Sequence, residues 1–336
     1  MGLSIAEMLQ SESLNGLRLI AGSRGKHRVI EKVSVLEIPK GYEPYLTGGE
    51  LILTTFYSLR DDLNGQLETI KKFSDAGVAA LGIHPVVTGM KIHEKVIENA
   101  DYYGLPLILL PHTMSYAKIF YEVLGLILNR QSLILKKSEE INREFTRVVL
   151  LGSDVNTIAA TLARLIKKPV LFTNDLFEFI AVSASSDEHD SFLKKCIQTS
   201  DFLKTLNLIK STKHKIRYRI KEEQFMFKIE VEGQLINQVV VPAGESKYPY
   251  GYIFTWEIEQ SLQELDFIAL AHASNAFALE MAKQRAVVEA EKRYRSDFLS
   301  EVLEGKFTKE EELYRRAQLI GLNLAQKHML IASSVA

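Results

Sequence analysis

A single cysteine, Cys196, stands among 336 residues, which excludes an intramolecular disulfide framework and a multi-cysteine zinc site and suits a reducing compartment. The lone thiol is read as a small core residue. An excess of charge of one sign is also missing. Lys and Arg total 41 against 42 Asp and Glu, a net charge of -1, so no basic surplus marks a nucleic-acid clamp or a membrane-binding face. No apolar run approaches the roughly 20 residues that a bilayer requires. Met1-Gly2-Leu3-Ser4 lacks the basic and then apolar regions of a signal peptide, and a cytoplasmic protein without membrane contact is expected. No nucleophile elbow, no His–carboxylate pair on a helix and no cluster of acidic metal ligands stands out. Gly48-Gly49 leads into Glu50 rather than into the Lys-Ser/Thr of a phosphate loop, and reads as a tight turn into a strand. No catalytic set, metal or cofactor is expected.

What is present is a mixed α/β pattern, with 46% hydrophobic and 25% charged residues, enough for two or three cores. Ser4 and Glu7 have capping-box spacing for an opening helix. Short apolar runs at Arg18 to Ala21, Val33 to Leu36, Leu51 to Leu53, Ala79 to Ile83 and Leu107 to Leu110 read as strands. Helical segments at Asn64 to Ala76 and Lys91 to Tyr103 have the spacing of crossovers between parallel strands. The expectation is a doubly wound α/β domain over residues 5–128.

From Phe120 to Leu151 there is no proline, and Phe120, Ile127, Ile134, Ile141 and Val148 recur every seven residues. This is the seam of a long helix, assigned to residues 129–153 as a connector and to a homodimer contact, or else the inner stripe of a helix packed on its own domain. A helix at Asn156 to Lys167, a hairpin of Val170 to Thr173 with Phe177 to Val182 about an Asn174-Asp175 turn, and strands at Ile216 to Ile220, Gln224 to Val231, Leu235 to Val241 and Gly251 to Thr255 follow. Ser261 and Glu264 then have capping-box spacing for a long Ala-rich helix reaching Tyr294. Residues 154–294 thus describe a small-molecule sensor domain of the GAF or PAS type. A helix at Ser296 to Glu304 closed by Gly305, a second capped by Thr308 and Glu311, and a strand at Met329 to Ser333 open a further domain over residues 295–336. One strand and two helices cannot enclose a core, so a C-terminal portion is expected beyond them.

The residues with chemistry to offer fall in two places. Thr54 and Thr55, His84, and His112 follow three successive strands, at the carboxyl edge where parallel sheets bind ligands. Solvated turns beside Pro85 and Pro111 are the other, plainer explanation of the histidines. In the second domain Arg217 and Arg219 share one strand face, suited to a carboxylate or imide oxygen or simply to guarding an edge strand. Phe254 and Trp256 share another, suited to a pocket floor or to plain core packing. The polar run Asp187-Glu188-His189-Asp190 reads as a flexible loop, and the basic residues about Tyr294, mixed with Glu289, Glu291 and Asp297, as a solvated helix face.

Particular motifs carry a family likeness. Glu37-Ile38-Pro39 with Leu46-Thr47-Gly48-Gly49-Glu50-Leu51-Ile52-Leu53-Thr54-Thr55, then Ala76-Gly77-Val78-Ala79-Ala80-Leu81 and Ala100-Asp101-Tyr102-Tyr103-Gly104-Leu105-Pro106-Leu107, resemble the N-terminal domain of the purine catabolism regulator family of bacterial transcription factors. Arg295-Ser296-Asp297-Phe298-Leu299 to Gly305, with Arg316-Ala317 and Gly321, is similar to the entry into that family's degenerate GGDEF-like domain. The resemblance implies a regulator answering to a small metabolite, often of nitrogen metabolism. It implies contact with DNA only through a C-terminal helix-turn-helix that no segment here supplies. The competing expectation is a small-molecule enzyme with its site at the Thr54, His84 and His112 edge.

Overall fold

A computed structural model describes residues 2–38, 41–84, 92–211, 225–244, 248–306 and 310–322. The chain divides into two compact units, Met1–Lys137 and Ser138–Ala336.

The first unit opens with β1 (Leu3–Ser4) and α1 (Ile5–Gln10), whose Ser4/Glu7 capping box forms as the spacing predicts. β2 (Arg18–Ala21), β3 (Val29–Ile30), β4 (Lys32–Val35), β5 (Glu50–Thr54), α2 (Leu63–Asp75), β6 (Ala80–Ile83), α3 (Glu94–Tyr103) and β7 (Leu107–Leu109) follow, and α4 (Tyr116–Leu150) begins in this unit. Four parallel strands and one antiparallel edge make a sheet in the order β2-β7-β6-β5-β4. β5 and β6 are buried at every position, as strands covered on both faces must be. One face carries Ile70 and Phe73 of α2 with Val96 and Ala100 of α3. The other carries Ile5 and Met8 of α1 with Ile119, Val123 and Ile127 of α4.

Both faces are therefore covered, but the sheet is not doubly wound. β4, β5, β6 and β7 lie side by side in chain order, so the winding never reverses. Crossovers of one hand then put α2 and α3 on the same face, and no crevice opens where two directions of winding meet.

α4 is a single helix, as the proline-free stretch predicts, but its seven-residue seam is not one surface. Ile127 is 3% exposed inside the first unit's core while Phe120 is 42% exposed, and Ile134 is half-buried. Ile141 and Val148 pack against the core of the second unit. Ile127, expected on a dimer seam, is instead taken up by the core of the first unit with Ile119 and Val123, so the seven-residue series does not form one exposed stripe.

The second unit contains α5 (Val155–Ile166), β8 (Val170–Asn174), β9 (Phe179–Ser183), α6 (Asp187–Cys196), α7 (Ser200–Ser211), β10 (Phe225–Val231), β11 (Gln234–Ala243), β12 (Gly251–Glu257), α8 (Glu264–Leu303) and α9 (Glu310–Leu319). The strands form an antiparallel sheet in the order β10-β11-β12-β8-β9. Ile158 and Leu162 of α5, Phe145 of α4 and Phe277 of α8 cover the face that carries Phe172, Val239 and Ile253. Leu193 and Cys196 of α6 and Phe202 and Leu206 of α7 cover the face that carries Leu171, Val240, Phe254 and Trp256.

Three expectations change here. Asp187-Glu188-His189-Asp190 is not a loop but the first turn of α6. Ser186 Oγ accepts the His189 N–H at 3.2 Å, and acidic residues complement the positive end of the helix. The cap of α8 is not Ser261. The Leu262 N–H is taken by Glu257 Oε1 at 2.7 Å, and Asp266 Oδ2 accepts the Gln263 N–H at 2.8 Å, so the helix starts later. α8 then runs unbroken to Leu303, because no glycine or proline lies between Tyr252 and Glu304. Gly305 closes it at φ 67°, as expected of a glycine just past a helix end. Thr308 and the strand expected at Met329 to Ser333 lie outside the described residues, as does the one at Ile216 to Ile220.

Candidate functional site

At the carboxyl edge of the first sheet the loops bring several of the expected side chains together. His84 follows β6, and its Nε2 meets the Met114 carbonyl oxygen at 3.1 Å. That oxygen only accepts, so Nε2 bears the hydrogen; in the neutral ring Nδ1 is then an acceptor. Nδ1 is buried and has no hydrogen-bond partner. The His84 ring stands edge-on to His112 at 6.3 Å and to Tyr116 at 5.6 Å. His112 itself is exposed.

Glu37 organises the other side. Thr55 donates to it twice, from N–H to Oε1 at 2.9 Å and from Oγ1 to Oε2 at 2.6 Å, and Tyr116 Oη donates to Oε1 at 3.1 Å. Burial, and then the Glu37 charge, push the Tyr116 phenol well above its ordinary range, so it remains a donor. The cluster thus holds a carboxylate, a phenol and two imidazoles around the ends of β5, β6 and β7. Glu37 and Tyr116 were missed by sequence reasoning. Glu37 lies inside the family motif quoted for it, but a carboxylate past a strand end gives no signal until Thr55 is seen beside it.

Thr54 does not join them. It is 4% exposed and its Oγ1 accepts the Phe56 N–H at 3.1 Å, bracing a turn in which Phe56 takes φ 55°. The cavity beside it measures about 10 Å³, room for about one water. Thr54 is a turn residue, corrected from a ligand contact.

The double glycine is a turn, as its sequence suggests. Gly48 and Gly49 have φ of 87° and 76°, and the Gly49 N–H bonds the Gly77 carbonyl at 2.9 Å. Glu50 is 2% exposed. Its Oε1 accepts from the Thr47 N–H at 2.8 Å and Thr47 Oγ1 at 2.9 Å, with Lys32 Nζ at 3.3 Å. Burial pushes this carboxyl up, but Thr47 and Lys32 outweigh it and hold the group below its ordinary value.

Residues 7–127 match the model of the purine catabolism regulatory protein-like family. The match lies within the first unit. The likeness extends further along the chain. The purine catabolism regulatory protein of Bacillus subtilis (strain 168) is 23% identical over 333 residues, 99% of this chain and 59% of the relative. The chain therefore spans a little under three fifths of that relative's length. The matched family segment includes Glu37, Thr55, His84, His112 and Tyr116.

In the second unit Phe254 and Trp256 are fully buried beneath α6 and α7. Arg217 and Arg219 lie outside the described residues. Trp256 pairs across the strands with Gln238, which is also fully buried. Trp256 Nε1 and both amide atoms of Gln238 have no hydrogen-bond partner. Each such group costs about 1–3 kcal/mol when buried, so this pair departs from ordinary core chemistry. Cys196 is buried in the same core, and burial pushes its thiol up to about 12, which makes it inert. Among the described residues no three His, Cys, Asp or Glu side chains gather as a metal site, and no helix is long and apolar enough to cross a membrane.

Proposed function

We propose that this chain is the ligand-sensing and dimer-forming portion of a transcription regulator, controlling genes of nitrogen or purine catabolism in response to a small metabolite. It acts in the cytoplasm as a sensor rather than an enzyme. The observation that carries this reading is the likeness to the Bacillus subtilis regulatory protein, which runs over 99% of the chain and so takes in both units. Contact with DNA is proposed for the regulator as a whole, not for the surfaces described above, whose charges nearly cancel.

Within this reading the second unit is a GAF- or PAS-like sensor domain, supported by its antiparallel sheet with helices on both faces. Residues 295–336 begin a GGDEF-like domain, supported by the small separate core of Phe298, Ala317 and Ile320. The dimer uses an outer face of α4 rather than the series through Ile127. Tyr121, Leu124, Leu128 and Leu135 are all exposed there, three, four and then seven residues apart as along a coiled-coil seam. The metabolite binds two arrangements of the dimer with unequal affinity and so shifts their populations; equal binding changes nothing.

The test is a thermal-shift screen of this chain against purine-catabolism intermediates, amino acids and other small nitrogen compounds, with product analysis of every hit. A saturable rise in Tm with the compound recovered unchanged supports a sensor. Turnover of the compound would replace it with an enzyme, and silence across the panel would remove the ligand.

A further inference from the structure

We propose that the second unit binds a small, neutral, planar amide or lactam between its sheet and α6 and α7, recognised by Gln238 and Trp256. This rests on the sensor reading and assigns the sensing to one domain.

Phe227, Gln238 and Trp256 form a single row across β10, β11 and β12, as successive cross-strand partners. Cross-strand partners project from the same face, here the one beneath α6 and α7. Gln238 and Trp256 are each 0% exposed, and three polar atoms on them lack any hydrogen-bond partner. Native interiors satisfy nearly all such atoms, and an exception calls for an explanation. These are not loop atoms or a frayed end; they sit in the middle of paired strands.

The donor pattern defines the ligand. Trp256 Nε1–H only donates, whereas the Gln238 amide donates through its nitrogen and accepts through its oxygen. A carbonyl oxygen beside an N–H answers all three, which is the edge of a lactam, an imide or a primary amide. The walls are aromatic. Phe192 and Phe202 lie edge-on or tilted to Trp256 at 6.1 Å and 6.3 Å, which suits a flat ring. The charged side chains buried among the described residues, Glu50, Lys168 and Glu280, lie on none of α6, α7, β10, β11 and β12, so an ionised ligand would lose its hydration without a buried counter-charge. An open cavity of about 340 Å³ lies between α7 and β10, lined by Asp201, Lys204, Thr205, Leu208, Phe227 and Lys228; it has a charged rim and touches the row only through Phe227. Phe227 thus joins the row at its solvent end.

Trp256 is the chain's only tryptophan, so its fluorescence reports this site alone. The experiment titrates the chain with succinimide, 2-pyrrolidinone and uracil, using cyclopentanone as the control without an N–H, in wild type and in Gln238→Met. The expected result is a saturable emission change with at least one N–H compound, none with cyclopentanone, and at least tenfold weaker binding in the variant. Gln238→Met should itself melt at or above the wild-type temperature, because it removes an unpaired buried amide. A response unchanged in Gln238→Met, an equal response to cyclopentanone, or no response to any compound overturns the site. The metabolite screen separates the two readings. Hits there with an unmoved Trp256 signal leave a sensor whose site lies elsewhere, whereas a Trp256 response without any metabolite hit removes the proposed metabolites and keeps the site.

Discussion

The His84 ring meets the Tyr116 ring edge-on at 5.6 Å with the planes 84° apart, while His84 Nε2 is held by the Met114 carbonyl. The ring is thus fixed by its neighbours, and its buried Nδ1 is the atom left to accept a hydrogen bond. His84→Phe keeps a ring in that place and removes both nitrogens. We expect it to lower stability by only about 1 kcal/mol, the worth of one hydrogen bond. If the carboxyl edge holds an effector, affinity should fall roughly tenfold, about 1.4 kcal/mol. Calorimetry on any screening hit decides this, and unaltered affinity would remove the edge as a binding site.

Tyr116 should be among the last tyrosines to ionise. Its folded pKa is raised above the ordinary 10.0, by burial first and by Glu37 second. A raised value favours the neutral form in the fold, so the stabilisation is full below pH 10 and is lost as pH climbs beyond it. Tyr116→Phe should flatten the alkaline limb of a Tm–pH curve, and absorbance titration should lose one late phenol.

Glu50 works in the opposite direction. Its carboxyl is held below the ordinary 4.5, so its contribution is present at neutral pH and is lost as pH falls below that value. Glu50→Gln should cost about 1–3 kcal/mol at pH 7 and less at pH 3, measured by urea unfolding at both. An equal loss at the two values would show that the charge is not the cause.

Gly22 takes φ 71°, and a Cβ there would lie 2.0 Å from the Leu105 carbonyl oxygen. That is backbone, which cannot swing aside. Its N–H also bonds Asp101 Oδ1 at 2.6 Å, locking the end of β2 to the end of α3. Gly22→Ala combines a left-handed penalty of about 1–2 kcal/mol with overpacking of about 1–3 kcal/mol. A melting temperature within a degree or two of wild type would contradict this.

Leu128 is 54% exposed and Ile127, its neighbour, 3%. Leu128→Glu should leave the monomer's stability almost unchanged and convert a dimer to monomer in sedimentation velocity. Ile127→Ala should instead lower stability by about 2–5 kcal/mol, the usual cost of truncating a buried isoleucine. A dimer that survives Leu128→Glu would place its interface away from this face of α4.

Local order along the chain was legible in the residues themselves. The Ser4/Glu7 cap, the strand at Arg18 to Ala21, the hairpin after Pro169 and the glycine closing α8 depend on neighbours within a few positions, and composition reports those forces directly. The helix at Asp187 was not legible, because its acidic first turn is rewarded by a helix dipole that exists only once Ser186 has capped it. The candidate edge was half visible. His84 and His112 could be placed by following strand ends, but Glu37 became part of it only when folding brought Thr55 and Tyr116 within hydrogen-bonding distance.

By itself the sequence determined the class of fold, the one long helix of α4 and the family motifs of the first domain, since apolar periodicity and turn chemistry act over short spans. Tertiary structure alone decided the strand order that denies the sheet a reversal of winding. It also decided which side of α4 is inside and that Gln238 and Trp256 share a buried row. Those facts turn on which surfaces meet across 18 to more than 100 residues of chain, and burial free energy is non-directional until packing gives it a direction.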